Sequence, residues 1–230
     1  MTENTLDIEP EFMPLYESCR QASMTSIERM HALWLAVRHL GRAGIAGDVV
    51  ECGVWRGGSM RLAAMTLLLR GCTNRTLYLY DTFEGMTEPD PELDVDAHGN
   101  RAVDEWREIQ RREVKWSYAP IEEVRETIAR TGYPMERVVL AKGPVETTLP
   151  GIIPDRVSLL RLDTDWYAST KQEIEHLYPR LTPEGVLIVD DYGHYQGARL
   201  AIDEYFNKID RKPFIHRTDY SCRCAIKPAG

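Results

Sequence analysis

Two groups of residues in this chain have types and spacings that could do chemistry: a glycine-rich turn and a set of carboxylates. The turn lies in residues 49–60, VVECGVWRGGSM, where a short apolar run ends in Glu51 and opens into glycines ahead of a helix. Gly53, Gly57 and Gly58 allow the backbone to bend and to approach a ligand closely. A turn of this kind between a strand and a helix is typical of a pocket for a nucleotide-type cofactor.

The spacing of these glycines argues against a dinucleotide. The dinucleotide fingerprint is G-x-G-x-x-G, which lets a pyrophosphate rest on the helix N-terminus. Here Gly53 is followed by three residues and then by Gly57 and Gly58. S-adenosylmethionine (SAM), which carries no phosphate, fits better, because its amino acid end can bind backbone groups of the turn. An NAD-dependent oxidoreductase is the less favoured alternative.

SAM also needs a carboxylate for its ribose hydroxyls, and Asp81 is the candidate. It follows residues 76–80 (TLYLY), whose β-branched and aromatic side chains predict a strand. Ligands of open α/β sheets bind at the C-terminal ends of strands. An acid after a strand is also a common turn residue, so the prediction depends on the neighbouring glycine turn.

The carboxylates follow two further predicted strands. The run VSLLRL leads into Asp163 and Asp165, and the run GVLIV leads into Asp190 and Asp191. In a parallel sheet these strand ends share one edge, so the acids would repel one another unless a positive charge held them. A hard divalent cation does so, and oxygen-rich sites select Mg²⁺, Mn²⁺ or Ca²⁺. Helix capping and turn formation are the alternative roles for some of these acids.

Helix and strand patterns alternate along the chain around these residues. Thr25 and Glu28 have capping-box spacing ahead of a helical pattern that Gly41 and Gly44 end. The helices are predicted at residues 12–19, 25–40, from 59 onward, 102–114, 121–129, 169–181 and 197–206. The strands are predicted at residues 49–50, 76–80, 137–140, 157–162, 185–189, 214–217 and 222–227. This alternation predicts an α/β fold, a doubly wound parallel sheet with a C-terminal antiparallel hairpin.

Length and charge restrict the remaining possibilities. The chain has 230 residues and a net charge of −8, which predicts one domain over 1–230, with a helical arm at 1–44 and a lid or substrate-binding insertion at 84–135. No basic stripe is available for nucleic acid. No apolar run reaches the roughly 20 residues of a membrane span, and the first ten residues, MTENTLDIEP, lack the charged-then-apolar pattern of a signal peptide. Both observations predict a cytoplasmic protein. The N-terminal helix hints at a homodimer.

Four stretches carry a resemblance to a known family. ECGVWRGGS, YDTFEGM, LLRLDTDWYAST and GVLIVDDYG, in this order, resemble the macrocin and mycinamicin sugar O-methyltransferases, to which the novobiocin sugar methyltransferase also belongs. The resemblance covers residues 24–227. It implies a Rossmann-like SAM-dependent methyltransferase that also needs Mg²⁺. The acceptor would be a hydroxyl of a natural product or related small molecule, expected to be a sugar hydroxyl, with a phenolic or carboxylic acceptor as the alternative.

The resemblance also implies which residues form the site. The metal ligands would be Asp163, Asp190 and Asp191. Asp163 would also act as proton acceptor, with Asp165 beside it, and His194 is the neutral base expected near the Asp190 loop. A non-catalytic SAM-binding protein would have no use for these clustered acids, which favours an enzyme. The cofactor contacts would be Ser26, Glu28, Glu51, Gly53, Val54, Trp55, Arg56, Gly57, Gly58, Ser59, Asp81, Thr82, Phe83, Gly143 and Asp163.

Overall fold

A seven-stranded sheet lies at the centre of the part of the chain that the structure describes. The computed structural model describes residues 7–229; residues 1–6, which begin the predicted arm, and residue 230 lie outside the described residues. The strands are β1 (Asp48–Cys52), β2 (Leu77–Asp81), β3 (Val138–Lys142), β4 (Val157–Leu162), β5 (Leu181–Val189), β6 (Ile215–Arg217) and β7 (Arg223–Ile226).

The strand order confirms the predicted fold class. It is β3-β2-β1-β4-β5-β7-β6. Strands β1 to β5 run parallel to one another, whereas β7 is antiparallel to both β5 and β6. The sheet is therefore doubly wound and Rossmann-like, and the predicted C-terminal antiparallel hairpin closes one edge.

Helices cover both faces of this sheet. They are α1 (Phe12–Cys19), α2 (Ile27–Ala43), α3 (Gly58–Leu69), α4 (Ala102–Arg111), α5 (Ile121–Ala129), α6 (Val145–Thr148), α7 (Tyr167–Leu177) and α8 (Gln196–Asn207). The bounds of α1 and α5 are those the sequence predicts. The predicted end of the helix at residue 181 is wrong, because Leu181 already pairs with Val157 of β4 and so belongs to β5.

The central strands are buried on both faces, which explains their continuous apolar runs. All six residues of β4 are buried. Leu159 packs in the cluster that includes residues of α2 and α3, whereas Leu160 packs in the cluster with residues of α7 and α8. Full burial of each such side chain stabilises the fold by about 1.5–3 kcal/mol.

The start of α2 differs from the prediction by one residue. The N-cap is Ser26, whose Oγ accepts a hydrogen bond from the backbone N–H of Arg29 at 3.2 Å, and the predicted capping role of Thr25 is wrong. Gly44 ends the helix in the left-handed conformation, with φ of 66°, as its position predicts.

Residues 84–135 connect β2 to β3 and contain α4 and α5. Their first part packs on a small apolar cluster that includes Trp166 and Tyr195, with Met86 and Trp116 at its edge. Among residues 7–229, every helix is too short or too polar to cross a bilayer.

Candidate active site

The C-terminal ends of the parallel strands open into one cleft. Its lining includes the glycine turn after β1, the acid that ends β2, the start of the segment after β3, and the acids after β4 and β5. The cleft therefore joins the two groups of residues that the sequence singles out. The predicted site residues in its lining are Gly53, Val54, Trp55, Ser59, Asp81, Thr82, Gly143, Asp163, Asp190 and Asp191.

The glycine turn packs directly on the loop that carries Asp163. Gly53 has a φ of 81°, a conformation that favours glycine. A Cβ atom on Gly53 would lie 1.9 Å from the carbonyl oxygen of Asp163. Glycine is thus required at residue 53 both for the turn and for the close approach of the acid loop.

Asp81 at the end of β2 organises this turn. Its Oδ2 accepts hydrogen bonds from the backbone N–H groups of Val54 and Trp55 at 2.7 and 2.9 Å. Its Oδ1 accepts the N–H of Phe83 at 2.7 Å. The carboxylate is only half-buried and lines the cleft, so Asp81 both holds the turn and faces the space beside it.

Several predicted cofactor contacts lie outside the cleft lining that residues 7–229 define. Glu51 is buried beneath it, and Phe83 is a core side chain. Arg56 extends to an ion pair with Glu123. The structure therefore gives these residues supporting positions around the pocket.

The remaining predicted contacts also support the cleft from outside. Gly57 is the left-handed residue before α3, and a Cβ on Gly58 would lie 2.5 Å from the carbonyl oxygen of Ala22. Ser26 caps α2, and Glu28 is an exposed residue of its first turn. Ala22, by contrast, lines the cleft, so the chain just before α2 is packed against the glycine turn.

A buried arginine gathers the acids of three strands. Arg161 of β4 is 4% exposed and donates to Glu51 Oε1 at 2.7 Å, to Asp163 Oδ2 at 2.6 Å and to Asp190 Oδ1 at 2.5 Å. Unpaired charges buried in this way would be very costly, and the guanidinium offsets that cost with directed hydrogen bonds. The positive charge that the convergence of acids demands is thus partly supplied by the chain itself.

A second arginine extends this network to the rim. Arg29 of α2 lines the cleft and donates to Asp190 Oδ2 at 2.5 Å and to Asp219 Oδ2 at 2.7 Å. Asp219 in turn accepts the backbone N–H groups of Ser221 and Cys222 at 2.9 and 2.7 Å. Arg29 therefore ties α2 to β5 and to the terminal hairpin.

Asp163, Asp165 and Asp191 each offer a carboxylate oxygen, and these three oxygens lie within 4.8 Å of one another. We call these three residues the acid cluster. Asp190, which the sequence places in the metal site, instead has both oxygens held by Arg161 and Arg29. Asp165 joins the cluster through a left-handed backbone, with φ of 69°.

The acid cluster carries negative charge that its neighbours do not fully compensate, which suits a bound cation. Asp191 Oδ2 is buried and makes no hydrogen bond to any residue in 7–229. Burial raises the pKa of Asp163 and of Asp191 well above the ordinary range, with neighbouring carboxylates adding to the shift, and raises the pKa of Asp165 to about 7. Such shifts reflect negative charge that the two arginines leave uncompensated.

These pKa shifts predict how the stability of the metal-free protein depends on pH. Burial raises the pKa of Glu51 and of Asp165 to about 7, so between their ordinary values and 7 the folded state binds more protons than the unfolded state. In EDTA, the urea midpoint is expected to rise as the pH is lowered from about 8 to about 6.5. A midpoint that is constant or falls over this range would contradict the assigned shifts.

His194 lies beside the cleft and not in its lining, as residues 7–229 define it. Its ring packs edge-on against Tyr195 and Tyr220, with centroids 4.5 and 5.9 Å away. Burial lowers the pKa of His194 below its usual value, so the imidazole is neutral at pH 7. Its catalytic role stays a prediction.

Sequence reasoning does not identify several residues that the structure places in the lining. Arg161 has a readable signal, since it is a charged residue inside an apolar strand pattern. Trp166 lies in the family stretch LLRLDTDWYAST, and Thr25 and Arg29 lie in the segment MTSIER, which resembles the entry helix of the family, so these stretches could have pointed to them.

Comparison with known proteins agrees with this geometry. The sequence profile of the macrocin O-methyltransferase family (TylF) matches residues 17–224. The chain belongs to this family. It is accordingly a SAM-dependent O-methyltransferase, and the alternative of an NAD-dependent oxidoreductase is excluded.

Named relatives of this TylF-family methyltransferase are O-methyltransferases. The 8-demethyl-8-(2,3-dimethoxy-α-L-rhamnosyl)-tetracenomycin-C 4'-O-methyltransferase of Streptomyces olivaceus is 35% identical over 216 residues, which cover 90% of this chain and 79% of the relative. The mycinamicin III 3''-O-methyltransferase of Micromonospora griseorubida is 32% identical over 189 residues, covering 80% and 69%.

Solved structures show the same fold. The O-methyltransferase NovP superposes with a TM-score of 0.78 at 28% identity, covering 90% of this chain and 83% of NovP. The calicheamicin methyltransferase CalS11 superposes with a TM-score of 0.65 at 16% identity, covering 95% and 93%, which shows a shared fold alone.

Proposed function

We propose that this methyltransferase transfers the methyl group of SAM to a sugar hydroxyl of a natural product, with a divalent cation bound at the acid cluster. The observation that carries the proposal is that one cleft is lined both by the glycine turn and by Asp163, Asp165 and Asp191. The relative from Streptomyces olivaceus acts on a tetracenomycin that carries a rhamnosyl group, which supports a glycoside as the acceptor.

The donor half of the cleft would be formed by the first two strand ends. We assign the amino acid end of SAM to the backbone around Gly53 and Val54, and the ribose hydroxyls to Asp81 and Thr82. Oδ1 of Asp81 retains acceptor capacity for this, because a carboxylate oxygen can accept two hydrogen bonds and the main donor to Oδ1 is the N–H of Phe83, whereas Oδ2 already accepts two N–H groups. The segment that includes Ser23 and Thr25 lines the same cleft.

The acid cluster would hold the cation. Asp163, Asp165 and Asp191 offer only oxygen ligands, which suits Mg²⁺ or Mn²⁺. A divalent cation bound there would lower the pKa of an acceptor hydroxyl and fix its orientation. Asp190 would act through its arginine partners, which keep the loop that carries Asp191 in place.

The side chains of the chain itself would align the acceptor and receive its proton. Methyl transfer from a sulfonium is an in-line displacement, so holding the hydroxyl against the methyl group can supply about 7–11 kcal/mol. Asp163 lines the cleft and is the proposed proton acceptor. His194 is the other proposed base, and His194→Ala separates the two: a large loss of rate would assign the proton to the imidazole.

The experiment that tests the function has a binding part and a turnover part. S-adenosylhomocysteine (SAH), the demethylated product, at about 100 times its Kd should stabilise the fold by about 2.7 kcal/mol. Turnover should be tested with SAM, Mg²⁺ and a panel of rhamnosides, phenols and carboxylic acids, with the products separated by mass. We expect rhamnoside methylation that EDTA abolishes and Mg²⁺ restores.

The binding measurement and the turnover measurement test separate claims, so each can be contradicted without the other. Absence of any thermal shift with SAH would contradict the donor pocket. Methylation of phenols or carboxylic acids in place of rhamnosides would contradict the sugar acceptor, and full activity in EDTA would contradict the cation.

A further inference from the structure

The segment of residues 84–100, which we call the wall segment, has one unusually buried anchor. It leads from β2 to α4 and contributes Gly85, Met86 and Thr87 to the cleft lining. Its only β pairing in the described chain consists of isolated bridges, such as that of Asp96 with Tyr195. A connection of this length needs tertiary contacts to hold a single conformation.

Asp94 provides the strongest of these contacts. Its carboxylate is 1% exposed. Oδ1 accepts the backbone N–H of Tyr167 at 2.8 Å, and Oδ2 accepts the N–H of Asp90 within the wall segment at 2.7 Å. Tyr167 is the first residue of α7, whose own N-cap, Trp166, provides no side-chain hydrogen bond. Asp94 thus takes the place of an N-cap from a distant part of the chain, where the helix dipole favours a negative charge.

The packing around Asp94 leaves no room for movement. Gly197, in the first turn of α8, lies against it: a Cβ on Gly197 would be 2.0 Å from Asp94 Oδ1 and 3.0 Å from the Cβ of Tyr167. The carboxylate is therefore enclosed by the wall segment, α7 and α8 together.

A second tether connects the wall segment to the loop of the acid cluster. Trp166 directly follows Asp165, is 3% exposed, and donates from Nε1 to the carbonyl oxygen of Thr87 at 3.1 Å. Its ring packs against Trp116 and Tyr195, with centroids 5.9 and 5.0 Å away. The wall segment and the acid cluster are thus held in one arrangement by neighbouring residues at the start of α7.

We propose that Asp94 is a positioning residue for the methyl acceptor: it fixes the wall segment as a preformed wall of the acceptor half of the cleft. This inference rests on the proposed function, since it assigns the donor half to the glycine turn and Asp81. The wall segment contacts the loop of Asp165, so the space between it and the acid cluster is where the acceptor would bind.

Hydrogen exchange tests the anchoring without any acceptor. Asp94→Ala is expected to speed amide exchange in the wall segment about tenfold while β1 and β4 stay protected. Asp94→Asn should have an intermediate effect, because one of its two side-chain positions can still accept a hydrogen bond. Gly197→Ala, which displaces the carboxylate from the opposite side, should reproduce the effect. Asp96→Asn is the matched control, because the half-buried side chain of Asp96 accepts hydrogen bonds from residues of the same segment, which an asparagine oxygen can still accept in part.

Kinetics test the role in acceptor binding. With the rhamnoside that the wild-type protein methylates, Asp94→Ala should raise the acceptor KM about tenfold, equivalent to about 1.4 kcal/mol. The Kd for SAH should change less than about twofold, and kcat less than about threefold, because the donor pocket and the acid cluster keep their residues.

The outcomes separate this inference from the proposed function. The anchoring role would be overturned if Asp94→Ala speeds amide exchange throughout the sheet, or if it leaves the exchange rate of the wall segment unchanged. Faster exchange in the wall segment with an unchanged acceptor KM would overturn the acceptor role. If no sugar is methylated by the wild-type protein, the proposed function fails, and the KM test is then made with whichever acceptor of the panel is turned over.

Discussion

Asp191→Asn is expected to lower the rate of methyl transfer by about three orders of magnitude, equivalent to about 4 kcal/mol of transition-state stabilisation. Asp191 Oδ2 is a buried acceptor that no residue in 7–229 satisfies, and the side chain belongs to the acid cluster. An amide keeps the shape and removes the charge that would hold a cation. The measurements are the turnover rate with saturating Mg²⁺, the Mn²⁺ affinity by titration calorimetry, and the Kd for SAH.

Two further variants make this result specific. Asp155→Asn, an exposed acid before β4, is the control and should leave all three quantities unchanged. Asp190→Asn should mainly lower stability, because Asp190 is held by Arg161 and Arg29. If Asp190→Asn removes Mn²⁺ binding and Asp191→Asn does not, the assignment of the cluster to Asp163, Asp165 and Asp191 is wrong.

Arg161→Met is expected to destabilise the fold by about 3–5 kcal/mol, because it leaves buried carboxylates without their counter-charge. Arg161 is 4% exposed and contacts Glu51, Asp163 and Asp190, of which Glu51 and Asp190 are fully buried. Methionine has a similar length and fills most of the space, so the loss measures charge and hydrogen bonding more than packing. The measurement is urea unfolding at neutral pH.

Arg199→Met is the matched control, since Arg199 is 63% exposed, its ion pair is with Asp203 on its own helix, and its other contact is with the ring of Tyr192, 5.6 Å away. Its effect on stability should stay within about 0.5 kcal/mol. If Arg161→Met lowers the free energy of unfolding as little as Arg199→Met does, the central role of the Arg161 guanidinium is contradicted.

The fold follows closely from the sequence because its signals are local. The apolar run of β4 and the glycine that ends α2 each specify an element through burial or backbone conformation. The helix predicted to end at residue 181 fails for a non-local reason: Leu181 pairs with Val157, which propensity cannot detect.

The site follows from the sequence less completely. That Asp163 and Asp191 lie at one sheet edge is a consequence of parallel strands, and the structure bears out this placement. Asp165, and not Asp190, joins them for two reasons. Residue 165 has a positive φ, and Asp190 is held by its contact with Arg29. Neither a left-handed aspartate nor a contact across 161 residues of chain can be read from a pattern.

Paramagnetic relaxation of bound SAH by Mn²⁺ tests most directly whether the donor and the cation occupy the same cleft. With the wild-type protein, Mn²⁺ should relax the methylene protons beside the SAH sulfur more strongly than the adenine protons, because the glycine turn packs on the loop of Asp163. The effect should disappear with Asp191→Asn at equal SAH occupancy. The account would be contradicted if Mn²⁺ relaxes both sets of protons equally in the wild-type protein, or if it relaxes neither set.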